Sequence, residues 1–231
     1  MAKRKILSFD FFQSFHNNDS FYEKITDEKQ VKFEILNHLL LLLIFSMLYG
    51  AIMGSYNGLQ QAASSAVKMP VLFLLIILIC FPAFFVIQTV LGSKLSLGQM
   101  ISIMLTGFVF MSCIMLSFST IVIFFMITGD NYAFIKLLHV FIIVVAGFFG
   151  MRAIVEALKF SCEKKNIYPK IGVQVFKIWI FILAFVGAQL SWSLRPFIGS
   201  KDMAFQLFRQ KGGNFYVDVI RSMAGLFEPR E

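Results

Sequence analysis

Long apolar runs separated by short polar breaks dominate the chain. A helix crossing about 30 Å of hydrocarbon needs about 20 mostly apolar residues, and five segments meet that length. The first runs from Ile35 to about Ile52, with Asn37 and His38 near its start. The second runs from Val71 to about Leu91 and contains Pro82, whose missing N–H and bulky ring predict a kink. The fourth spans about Tyr132 to Met151, with Lys136 one turn inside and able to snorkel to the interface. The fifth runs from about Phe176 to Leu194 and closes in "GAQLSWSLRPF", where Trp192 and Arg195 read as interfacial anchors.

The third region has no charged residue between Lys94 and Asp130. As one straight helix, Leu95 to Gly129 would be about 50 Å long at 1.5 Å per residue. That is too long for one ordinary span and short for two with a turn. The pattern fits a long tilted helix, or a span followed by a partial re-entrant segment. The break would fall near Ser117, Ser119 and Thr120, whose hydroxyls can satisfy freed backbone groups. Five spans is the preferred count, and six is the alternative.

Polar and small residues between the runs add detail. In "YGAIMGSYNGLQQAASSAVKMP" (Tyr49–Pro70), Gly50 and Gly54 read as helix packing and Ser55–Gly58 as the turn out of the membrane. Leu59–Val67 reads as a short helix, with Met69 and Pro70 opening the second span. The chain divides into a charged, amphipathic N-terminal arm (1–34), a membrane bundle (35–198) and an amphipathic tail (199–231). In the arm, Phe9, Phe12 and Phe15 repeat at helical spacing beside Lys3, Arg4 and Lys5. In the tail, Phe215, Val219, Ile220, Met223 and Phe227 share one broad face, with Asp218, Arg221 and Ser222 largely opposite. Each end predicts an amphipathic helix lying in the membrane interface, or packed on a soluble partner.

Composition strengthens the membrane reading. Of 231 residues, 58% are hydrophobic and 15% charged, against about 25% charged in a soluble domain. The surplus needs lipid, and the fold class is an all-α polytopic transmembrane bundle. The net charge of +8 is spread over the arm, one internal segment and the tail rather than one face, which argues against nucleic acid. It fits positive-inside bias and contact with anionic headgroups. Arg152, Lys159, Lys164, Lys165 and Lys170 form one basic segment, and five spans put it on the same side as the arm. The Arg152/Glu156 pair at i, i+4 reads as an anchor. The tail then lies outside, although it too is basic. The arm lacks the apolar core of a cleavable signal, and the expected location is a bacterial-type inner membrane.

Candidate chemistry is sparse. Cys80 and Cys113 fall in apolar runs and Cys162 in the basic segment, with no CxxC or zinc spacing. No hydrolase, metalloprotease or phosphate-loop motif occurs, so neither an enzyme nor a cofactor is expected. Gly50 and Gly54, Ala146, Gly150 and Ala153, and Ala184 and Ala188 repeat at four- or three-residue spacing. Such small residues let helices approach closely, within this bundle in preference to a homo-oligomer seam. His139 is the one ionisable side chain well inside an apolar run, and reads as a neutral packing residue before a proton carrier.

The small-residue turn leading through "AVKMP", and "VLGSKLSLGQMISIMLTGFV" (Val90–Val109), resemble the Yip-domain family of five-span membrane proteins. The resemblance covers about Gly50 to Met126 and implies an integral adaptor that organises partners or lipid without catalysis. The overall expectation is a scaffold or accessory subunit whose partners are membrane lipids and other membrane-protein subunits. A small channel or transporter subunit is the alternative, with Asn57, Gln60, Gln61, Ser64, Gln88, His139 and Gln189 as its polar path. A second alternative is a lipid-binding protein using Trp192, Arg195 and Lys201 around a headgroup.

Overall fold

The computed structural model describes residues 22–24, 26–27, 30–129, 131–199, 205–208 and 215–224. The fold is an all-α bundle: α1 (Val31–Gly54), α2 (Leu59–Val90), α3 (Leu97–Ser117), α4 (Ser119–Thr128), α5 (Tyr132–Glu163), α6 (Lys170–Leu194) and α7 (Phe215–Ala224). No strand occurs among the described residues. Five helical segments are long and apolar enough to cross a membrane, with α3 and α4 together making the third. This is a multi-pass membrane protein.

Local chemistry sets the helix ends. A capping box opens α3: Gln99 N donates to Ser96 Oγ (3.3 Å), and Ser96 N donates to Gln99 Oε1 (2.8 Å). Asn131 caps α5 by accepting from Phe134 N at 3.2 Å. Between α1 and α2, a short 3-10 turn (Ser55–Asn57) ends at Gly58, whose φ of 116° suits glycine.

One expectation is revised and one is sharpened. The second span does not begin at Met69–Pro70: α2 starts at Leu59 and runs unbroken through Pro70 and Pro82. Proline is tolerated in membrane helices whose neighbours and local adjustments re-satisfy the backbone, and α1 lies against this stretch. The third region is one span interrupted at Phe118, with α4 continuing from α3. Ser117 Oγ donates back to Cys113 O at 2.9 Å beside that break.

In the core, α1 packs between α2 and α3, and α3 packs on α5, while α6 leans mainly on α2. Leu41, Tyr49, Met104, Val109, Ile142 and Ile154 are fully enclosed or nearly so. The outer faces remain apolar: Phe141, Val144 and Phe148 on α5, and Ile178, Phe181 and Phe185 on α6, are exposed. Exposed apolar stripes at helical spacing are the lipid contact of a membrane bundle.

The two ends of the bundle differ. At the basic end, Tyr22 Oη donates to Glu156 Oε2 (3.1 Å), Gln99 Nε2 to Thr26 O (2.6 Å) and Lys94 N to Ile167 O (2.9 Å). These bonds bring residues 22–27, the α2–α3 turn and the α5–α6 turn together. The opposite end gathers the α1–α2 turn, the start of α5, residues 195–199 and α7. On α7, Ser222 is buried and Asp218 half-buried, while Tyr216, Val217, Ile220 and Met223 are exposed. The helix therefore docks through Phe215, Asp218, Val219 and Ser222 and turns other apolar residues outward. Phe9, Phe12, Phe15 and Phe227 lie outside the described residues.

Candidate functional site

The helix starts at the second end create a cleft. Asn131 fixes where α5 begins, which puts Tyr132, Lys136, His139, Val140 and Ile143 along one face. The last turn of α6 and the chain just after it contribute Ser191, Trp192 and Arg195. Met53 of α1 with Met69 and Leu72 of α2 form the apolar wall. Pro196–Ile198 passes along one side, and Phe215 and Asp218 of α7 complete the lining. The cleft is partly open, with a volume of about 230 Å³.

The segment after α6 is held by a row of side chains on α2. Gln61, Ser65 and Lys68 lie on one helical face, at i, i+4 and i+7. Gln61 Nε2 donates to Pro196 O (2.9 Å) and Phe197 O (3.1 Å), and Ser65 Oγ also donates to Phe197 O. Lys68 Nζ donates to Pro196 O (3.1 Å) and to Leu207 O, and lies 5.0 Å from the Phe208 ring centre. An ammonium taken out of water needs such acceptors. The lone charge of the Tyr49–Pro70 stretch is thus a clamp on backbone carbonyls.

Among the described residues lining the cleft, Lys136 and Arg195 are cationic and Asp218 is a carboxylate. Lys136 Nζ is 2.8 Å from Asp218 Oδ2, an ion pair that joins α5 to α7. The Arg195 guanidinium stacks on Trp192 with Cζ 3.4 Å from the ring centre. Below them His139 is 2% exposed. Its Nδ1 lies 2.7 Å from the buried hydroxyl of Tyr49, and the two rings meet edge to face. A phenol donates readily to a neutral imidazole nitrogen, which puts the ring proton on Nε2. That nitrogen is buried with no hydrogen-bond partner among the described residues, and His139 is one of the residues lining the cleft.

Ser191 shares the cleft with His139, but its Oγ donates to Ala188 O at 2.8 Å. No hydrogen bond joins the two, so the pair has no nucleophile–base geometry. Among the described residues no group of three His, Cys, Asp or Glu side chains could hold a metal ion.

The polar residues singled out in the sequence fall in different places. His139 lines the cleft, as do Trp192 and Arg195. Gln61 belongs to the clamp, and Asn57 lies against Gly199, where a Cβ would stand 2.6 Å from its Nδ2. Gln60 is exposed and Gln189 half-buried, and neither lines the cleft. Ser64 Oγ is buried without a partner, also outside the cleft. Gln88 is near the basic end, donating to Gly172 O at 3.2 Å. Lys201 lies outside the described residues.

The small residues also separate. Gly50 and Gly54 face α2, where a Cβ would stand 2.9 Å from Met69 Cγ or 2.7 Å from Ala62 Cα. Ala146, Gly150 and Ala153 are buried, and Gly150 meets Gly107 of α3. Ala184 is exposed and Ala188 half-buried; Gly187 makes the approach to α2, where a Cβ would stand 3.3 Å from Ile76 Cδ1. Sequence reasoning missed Gly107 and Gly187, single glycines inside apolar runs without a repeat to flag them. It also missed Asp218 and Tyr49 as members of the site, since neither stands out locally.

Comparison with known families, curated proteins and solved structures returned no match. The functional reading therefore rests on the chain's own geometry.

Proposed function

We propose that this multi-pass protein binds an amphiphile, a lipid or lipid-like molecule, at one end of its bundle and acts as a non-catalytic membrane scaffold. The observation that carries the reading is the cleft itself. A wall of Met53, Met69 and Leu72 stands beside two cationic side chains, Lys136 and Arg195, at one end of a membrane bundle. Apolar surface with a few placed polar groups is how small-molecule sites fix a ligand, and the surrounding bilayer supplies amphiphiles at high local concentration. The scattering of Gln60, Gln88 and Gln189 weighs against one polar path between the spans. The resemblance to Yip-domain proteins points to the same class, an adaptor that organises lipid or partner subunits. For a bacterial-type inner membrane, which we propose as the location, the lysine and arginine distribution supports the basic end on the cytoplasmic side.

The test is mass spectrometry of protein released from native membrane in mild detergent. Wild type should carry lipid at a defined stoichiometry, and Met69→Trp, which fills the wall, should lose it while keeping its helical content. Equal lipid retention by both would overturn the reading.

A further inference from the structure

Resting on that cleft reading, we infer that its ligand is a lipid with an acidic headgroup, which takes Lys136 from Asp218 and undocks α7. Three observations converge.

The first is the orphaned donor. His139, one of the residues lining the cleft, is enclosed, its Nδ1 is committed to Tyr49, and its Nε2 is buried with no hydrogen-bond partner among the described residues. A buried donor left unmade is costly, so a ligand oxygen that reached Nε2 would be favoured there. Arg195 and Lys136 line the same space. One N–H and two cations suit a phosphate or carboxylate oxygen, whereas a quaternary ammonium would meet like charge.

The second is the cleft's size and shape. Its 230 Å³ is below the roughly 300–1,000 Å³ of pockets that enclose a whole drug-sized molecule. It has room for a headgroup and the first methylenes, not for whole acyl chains. The lining on α5 runs from Tyr132 to Ile143, roughly 16 Å at 1.5 Å per residue. A headgroup by Lys136 would direct its tails along Val140 and Ile143 toward the exposed apolar face of α5. A lipid meets that geometry; a free anion leaves the wall unused.

The third is the placement of Asp218. Its carboxylate is the anion that Lys136 holds in this structure, and the pair is partly exposed, at 20% and 39% for the two side chains. Elsewhere on α7, Phe215 lines the cleft, Ser222 Oγ donates to Asp218 O within the helix, and Tyr216, Val217, Ile220 and Met223 are exposed. An incoming headgroup competes for Lys136 directly. When it wins, α7 loses its ion pair and retains an outward apolar face that binds the membrane interface on its own.

The experiment uses the full chain in nanodiscs of phosphatidylcholine alone or mixed with phosphatidic acid. Bound lipid is read by native mass spectrometry, and α7 by amide hydrogen exchange over residues 215–224. Wild type should retain phosphatidic acid at least about tenfold better than phosphatidylcholine, as charge-assisted hydrogen bonds imply. Exchange in α7 should rise when phosphatidic acid is present. Asp218→Asn should strengthen phosphatidic acid binding about two- to fivefold, the worth of a partly exposed ion pair, while Arg195→Gln should weaken it. Equal retention of both lipids, abolished in both cases by Met69→Trp, would overturn the acidic-headgroup inference and leave the cleft reading standing. Retention unaffected by Met69→Trp would overturn both. Weaker binding in Asp218→Asn would overturn the competition, and release of α7 by inorganic phosphate alone would overturn the lipid as its source.

Discussion

Gly107 and Gly150 meet backbone to backbone between α3 and α5. A methyl group on Gly150 would stand 2.5 Å from Gly107 O, and one on Gly107 would stand 2.8 Å from Gly150 O. Backbone cannot yield as a flexible side chain can, so either Gly→Ala change must push the helices apart. Overpacking of this kind destabilises by roughly 1–3 kcal/mol. Gly147→Ala is the control, because its methyl would come no closer than 3.8 Å to Met111 Cε. Thermal unfolding in detergent should show a clear loss for Gly107→Ala and Gly150→Ala and almost none for Gly147→Ala.

The Tyr49–His139 bond gives a second prediction. Tyr49→Phe removes a buried hydroxyl and leaves Nδ1 without its donor, which should cost about 1–3 kcal/mol. Adding His139→Leu removes the stranded nitrogen, so the double variant should be more stable than the sum of the two losses. A double-mutant cycle from unfolding curves measures that coupling. Strict additivity would mean the bond contributes nothing.

Loss of the carbonyl clamp should loosen a strap, not unfold the bundle. Ser65→Ala or Lys68→Met leaves the carbonyls of Phe197, or of Pro196 and Leu207, short of a donor. A local loss of one or two kcal/mol corresponds to a roughly 5–30-fold change in the population of the open state. Amide exchange at residues 197–199 should rise by that factor, with exchange in α3 and α5 unchanged.

Alkaline pH should weaken the basic end. Burial pushes the Tyr22 and Tyr168 hydroxyls well above the ordinary value near 10, and the Glu156 carboxylate pushes Tyr22 further. The fold therefore favours the protonated phenol. That stability is fully present below pH 10 and is lost as pH rises beyond it toward the higher folded values. Thermal midpoints followed above pH 10 should fall in wild type and fall less in Tyr22→Phe and Tyr168→Phe.

The apolar runs made the spans legible, because a helix that faces lipid must advertise itself over about 20 residues. Helix ends were harder. Pro70 reads as a start, yet α2 absorbs it because α1 lies against that turn. The site was mostly hidden for a different reason: its partners are far apart in the chain. Lys136 and Asp218 are 82 residues apart, Tyr49 and His139 are 90 apart, and Gln61 and Pro196 are 135 apart. Trp192 and Arg195 were visible, since an aromatic beside a cation at a span's end is a local pattern. His139 was visible as the odd ionisable group, but only Tyr49 gives its proton a direction.

The clamp formed by Gln61, Ser65 and Lys68 recognises carbonyl oxygens, which every residue carries. Its grip is consequently blind to most side chains it holds. Positions 197 and 207 should accept many substitutions without losing the strap, while positions 61, 65 and 68 should accept few. Saturation mutagenesis would then find a tolerant segment beside an intolerant helix face, and the cleft's wall could change its ligand preference through Phe197 without being dismantled.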